Sequence, residues 1–295
     1  MTHWLHAIAN SGFFQSGQVI NALWIGSVVA VVSGMAGVFV VIRGQSFVGH
    51  VLTDVGAAGA SGAFLIGLNA WYGFLSFGLL AGTGVEVLGD RARNRDIATG
   101  IVLSFSMGLG ALFLYFDTMT TNASAPMLIL FGSIFLISPA VAPLVVAIGL
   151  IAVASLLLLY RPLLLSSVNP EIARSKGVPV RMIGLAFMVV LALAVEDGAL
   201  VIGALLSTAL LIGPAATAIR MTSRTGLALL LSAMIGTLAT WLGITLAYAS
   251  YHWPPGGRGW PVSFFITLLI FVFYLSSRFV PERRRMDKRL TQGTV

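Results

Sequence analysis

VINALWIGSVVAVVSGMAGVFVVIRGQSFVGHVLTD, residues 19–54, decides the fold. Residues 19–42 hold no Asp, Glu, Lys or Arg, and their run exceeds the roughly 20 apolar residues an α-helix needs to cross a hydrocarbon core about 30 Å thick. Arg43 closes the run and Gly44, Gln45 and Ser46 break it. A second apolar block, about residues 47–68, is interrupted by His50 and Asp54, and its residues 56–63 are all Gly, Ala or Ser. Such a segment is predicted to pack against protein on more than one side, since small side chains let helices approach closely where lipid supplies no driving force.

The same alternation continues outward along the chain. A third block follows the turn at residues 69–72 and ends near Gly89, where DRARNRD, residues 90–96, reads as a cytoplasmic loop. A fourth covers 97–116 and leads to the polar stretch 117–124, which lacks Lys and Arg and is assigned outside. Residues 126–137 are too short for a span and suit a broken or re-entrant helix. A span at 140–160 is expected to end at Arg161-Pro162, and the polar interval 166–181 is inside by charge. Blocks 182–195 and 200–219 flank Glu196-Asp197-Gly198; the turn 220–224 is inside, 226–249 crosses outward to 252–257, and 261–279 returns. The expectation is an all-α, polytopic transmembrane helical bundle with eight to ten spans. It divides into a short N-terminal segment (1–18), one transmembrane domain (19–279) and a basic cytoplasmic tail (280–295). The first residues lack the basic start and cleavage site of a signal peptide, so the first span is expected to direct insertion.

Composition agrees. Of 295 residues, 58% are hydrophobic and 9% charged, against about a quarter charged in soluble domains; a soluble fold could not cover its surface with so few. The 33 glycines read as close helix contacts. The net charge of +7 lies between apolar blocks and at the end, which is the positive-inside pattern and not a nucleic-acid surface. With no Cys, thiolate ligation and disulfides are excluded, and any metal must meet His, Asp, Glu or backbone oxygen.

His50 and Asp54 stand four apart, on one helix face. An ionisable side chain in a span is a functional hypothesis by default, and imidazole with carboxylate suits Zn²⁺ or Mn²⁺, imidazole leaning toward zinc. The plainer reading is a pair near a helix start, with His50 solvated and Asp54 bonded to a neighbour. Glu196 and Asp197 either end a helix at the outer surface or supply a cation route. Asp117 and His252 read as outward loop residues. In the interval 166–181, Asn169 caps a helix begun by Pro170, Glu171 suits its positive end, and Gly177 stops it. That short amphipathic helix is shaped to dock a cytoplasmic subunit, or is an ordinary loop helix. No GxxxxGK[ST], HExxH or GxSxG run occurs, so ATP, if used, is bound by another chain.

Four stretches together resemble the membrane permeases of the metal-ion ABC importers, the ABC-3 family: GVFVVIR (37–43) leading into SFVGHVLTD (46–54), LFGSI (130–134), NPEIA (169–173) with Gly177-Val178, and GALLSTALLIGPAATA (203–218). The family usually carries Asp where His50 stands and His where Asp54 stands, so the two ligand types are exchanged here. The resemblance implies a type II importer-like fold and a route for zinc, with manganese next, through His50 and Asp54. It implies a coupling helix to the ATPase that includes Asn169, Pro170, Glu171, Ala173, Arg174 and Gly177, and a kink at Pro214 near the route. It further implies a permease homodimer in lipid, a cytoplasmic ABC ATPase dimer that binds ATP, an extracytoplasmic metal-binding protein, no stably held cofactor, and a bacterial plasma membrane with the C-terminus cytoplasmic. A gradient-driven secondary transporter, and a non-transporting interaction protein, are the rival readings.

Overall fold

Lipid offers no partner for backbone N–H and C=O groups, so apolar blocks of this length close their hydrogen bonds as helices. A computed structural model describes residues 16–88, 92–119, 129–132, 134, 135, 137, 141–251, 253 and 259–279. In chain order the helices are α1 (Gly17–Ile42), α2 (Ser46–Leu65), α3 (Ala70–Leu88), α4 (Ala92–Met119), α5 (Ala142–Val168), α6 (Pro170–Ser175), α7 (Val180–Ile202), α8 (Ala204–Met221), α9 (Thr225–Ser250) and α10 (Val262–Ser277). Five of the described helices, namely α1, α4 from Thr99 on, α5, α7 and α9, are long and apolar enough to span a membrane by length and composition alone. The expected N-terminal segment, apart from residues 16–18, and the expected basic tail lie outside the described residues, as do residues 89–91 of the charged loop and most of 117–128 and 252–258.

α1 and α7 are the enclosed helices and α4 the most outward-facing of the five. One part of the core gathers Phe39, Leu52, Leu156, Leu163, Phe187, Met188, Leu191 and Leu211, a second gathers Ile25, Leu210, Ile244, Ile266 and Ile270, and a small third gathers Ala60, Ala70, Phe74, Ile129 and Ala199. Phe39 meets Tyr160 and Phe187 edge to face, with centroids 6.1 and 6.2 Å apart, the geometry aromatic quadrupoles favour. Glycine sets the closest approaches. A Cβ on Gly37 of α1 would collide with the Leu211 carbonyl of α8, and Gly59 of α2 and Gly73 of α3 lie backbone to backbone. Ser232 of α9 donates to the Gly34 carbonyl at 2.7 Å. Such interhelical bonds average only about 0.6 kcal/mol in membranes, so packing dominates.

Three sequence boundaries are corrected. α7 runs unbroken through Glu196, Asp197 and Gly198 and ends at Ile202, because the break belongs to Gly203, whose φ of +101° only glycine adopts readily. There the chain meets residues 131–132: a Cβ on Gly203 would strike the Phe131 backbone, and one on Gly132 would strike Ile202. α5 continues past Tyr160, with Pro162 inside it, to Val168. Leu163 and Ser166 beyond the proline are buried, so packing outweighs the one hydrogen bond the ring removes. α4 reaches Met119 and takes Asp117 into its last turn. Asp117 is therefore a buried helix residue and not a loop residue, and Ser61 of α2 donates to it at 2.5 Å.

Candidate transport site

α2 starts from a tight turn. Arg43, Gly44 and Gln45 link it to α1, with Gly44 at φ +66° and its N–H donating to the Val41 carbonyl. One side of α2 is then sealed. Gly49 abuts Leu211, the Thr53 hydroxyl lies 3.2 Å from the Ser207 hydroxyl, both buried on facing helices, and Gly56 and Gly59 press on α7 and α3. His50 and Asp54 occupy another side. Their Nε2 and Oδ2 atoms are 3.6 Å apart, and their side chains are 46% and 19% exposed in the single chain. The expected pairing on one open face is present, in the first three turns of the helix.

Two such side chains would make half of a tetrahedral shell. Among the described residues, no group of three or more His, Cys, Asp or Glu side chains stands ready to hold a metal. The pair as it stands can offer a cation one imidazole nitrogen and one carboxylate oxygen from a surface that something else must complete.

Glu196 and Asp197 are placed differently from the plainer expectation: both are buried inside α7, 1% and 2% exposed, and not at a helix end. The Glu196 carboxylate fills a slot between Gly56 of α2 and Gly78 of α3, where any Cβ would collide with it. Gly56 lies two residues beyond Asp54, about 200° around the helix, so Glu196 backs the sealed side of α2 and not its open face. Asp197 turns toward α5, where a Cβ on Gly149 would come 3.5 Å from its Oδ2. Neither carboxylate meets a donor among the described residues, an arrangement that is costly for a charged group unless a cation or proton satisfies it. Gly56 and Gly78 were not singled out from sequence individually; the small-residue run 56–63 was the available signal for the first.

At the other extreme of legibility, α6 forms as its sequence dictates. The Asn169 side chain accepts from the N–H groups of Glu171 and Ile172 at 3.1 and 3.0 Å, Pro170 occupies the first turn, Arg174 lies in the last, and Gly177 turns the chain at φ +77°. Ala173 is buried while Glu171 and Arg174 face outward. Pro214 lies within α8, one residue past Gly213, which packs against Ile270. The stretches singled out in the sequence thus meet: Gly37 touches Leu211, Thr53 touches Ser207, and Gly132 touches residues 202–203.

The chain is similar to known proteins over most of its length. The manganese import system permease protein ScaB of Streptococcus parasanguinis is 30% identical over 269 residues, 91% of this chain and 92% of its own length. The chelated iron transport system membrane protein YfeC of Yersinia pestis is 25% identical over 277 residues, 94% of this chain and 91% of its own. A solved structure of PsaBC from Streptococcus pneumoniae in complex with Fab superposes with a TM-score of 0.80 at 26% identity, covering 95% of this chain and 98% of that one. With residues 15–278 matched by the ABC 3 transport family, the chain belongs to that family and is a multi-pass membrane permease subunit of an ABC-type importer.

Proposed function

We propose that the chain passes a divalent transition metal, manganese(II) first and zinc(II) second, between two copies of itself, with His50 and Asp54 of each copy as the transit ligands. The single observation that carries this is the open face of α2, where one imidazole and one carboxylate lie 3.6 Å apart on a helix whose opposite side is sealed. A twofold axis beside that face would bring two such pairs together and supply four ligands, enough for a first-row metal. Imidazole alone leans toward zinc; similarity to permeases named for manganese moves manganese ahead. A sparse shell is what transit requires, since a complete rigid cage would hold the ion too tightly to release it. Glu196 and Asp197 enter as carboxylates of a deeper cation route, because a cation reaching them would satisfy oxygens that no donor among the described residues meets.

The energy comes from a cytoplasmic ABC ATPase dimer, for which α6 is the docking helix: it presents Glu171 and Arg174 outward from a capped, buried base. An extracytoplasmic binding protein delivers the ion, and the end of the bundle with α6 and the C-terminus faces the cytoplasm. The test is reconstitution of the permease with its ATPase and binding protein in vesicles. ATP-dependent uptake is expected for Mn²⁺, with Zn²⁺ slower. Flux that follows an ion gradient and ignores ATP would replace this reading with the secondary-transporter one.

A further inference from the structure

Arg43 joins parts of the molecule that a power stroke must connect. It is the C-cap of α1, three residues before α2 begins. Its Nε donates to Gln45 Oε1 at 3.2 Å within the α1–α2 turn, and its Nη1 points at Ser167 Oγ, 3.5 Å away, on the last turn of α5. Its guanidinium lies over the Phe187 ring of α7, 5.3 Å from the centroid. A Cβ on Gly184 of α7 would lie 3.8 Å from its Nη2 and would also collide with Glu86 of α3. One cation therefore touches the turn below His50 and Asp54, the end of α5, and α7.

Ser167 stands two residues before Asn169, and the path from there into α6 is stiff. The Asn169 N–H donates to the Leu165 carbonyl at 3.0 Å, the Ala173 N–H donates to the Asn169 carbonyl at 3.1 Å, and Ala173 is fully buried. A push on α6 must therefore move the end of α5 with it. The α1–α2 turn is the opposite case: Gly44 at φ +66° is a natural pivot, and His50 sits about 6 Å up the helix from Ser46.

We propose that Arg43 is the positioning residue that carries displacement of α6 and the end of α5 to the base of α2, and so to the His50–Asp54 face. This rests on the reading of α6 as the ATPase dock. Arginine suits the task because its planar fork donates in several directions while its face stacks on an aromatic ring; lysine offers a charge with neither property.

The experiment uses the full complex in vesicles and reads Mn²⁺ transported per ATP hydrolysed for Arg43→Lys, Arg43→Ala and Ser167→Ala. Arg43→Lys is expected to keep ATP hydrolysis within about twofold while the ratio falls at least fivefold. Ser167→Ala is expected to lower the ratio by a smaller factor in the same direction. Uptake and hydrolysis that fall together at an unchanged ratio would make Arg43 a structural pin and overturn the proposal, as would unchanged ratios in Arg43→Lys and Ser167→Ala. Should Arg43→Ala fail to assemble, the other two variants decide. The underlying docking reading is tested separately: Glu171→Arg with Arg174→Glu should release the ATPase on purification, and retention of the ATPase there would sink that reading whatever the Arg43 ratios are.

Discussion

α2 and α7 each carry acidic side chains inside apolar helices, and they handle them in opposite ways. On α2, Asp54 shares an open face with His50; on α7, Glu196 and Asp197 are enclosed, their oxygens met by no donor among the described residues. The difference teaches that a charge in a span is decided by which neighbours glycine admits. Gly49, Gly56 and Gly59 draw α8, α7 and α3 onto one side of α2, and that crowding leaves the other side, with His50 and Asp54, open in the single chain.

The largest effect should come from emptying the open face. Asp54→Ala is expected to abolish most ATP-dependent metal uptake in a permease that still assembles, well beyond the roughly 10–100-fold typical of losing only an outer-shell partner. A sharper version exchanges the pair. His50→Asp with Asp54→His keeps one imidazole and one carboxylate on the face in the order the family usually shows, so it should retain more uptake than either single change. Equal loss in the double and single variants would mean that α2 holds its ligands for something other than a shared ion.

The open face was legible in sequence because it needs only local geometry: four residues on a helix make one face. α6 was legible for the same reason, as Asn169, Pro170 and Gly177 act on their own neighbours. The enclosed carboxylates were half legible. Glu196-Asp197-Gly198 looks like a helix end, since charge beside glycine usually marks one, but hydropathy does not distinguish a helix facing lipid from one facing protein on all sides. The true break at Gly203 hides in an apolar run and reveals itself only where Gly132 crosses it. Pro162 misleads similarly, because burial of Leu163 and Ser166 holds the helix past it.

An intermediate effect is expected from the slot behind α2. Gly56→Ala adds one carbon where the Glu196 carboxylate lies, and overpacking of this kind typically costs about 1–3 kcal/mol. In a Glu196→Ala background the same carbon has room, so the cost should nearly vanish, with a coupling of about 1 kcal/mol or more in the double-mutant cycle. Thermal unfolding in detergent measures it. Glu196→Gln keeps the shape and removes the charge; a severalfold fall in uptake with unchanged stability is expected if cations use that carboxylate. Full uptake in Glu196→Gln would confine the route to α2.

The smallest effect, and the control on the whole comparison, is Gly84→Ala in α3. Nothing lies within 4 Å of a Cβ built there, in contrast to Gly78 six residues earlier, whose Cβ would strike Glu196. Without a neighbour to displace, alanine should act only on the helix itself, where it is better than glycine by up to about 1 kcal/mol. The expected outcome is an unfolding temperature equal to or slightly above that of the parent, and unchanged uptake. A marked loss of stability would mean that a second chain or a docked subunit occupies that face, since a penalty for one added carbon requires something for it to meet.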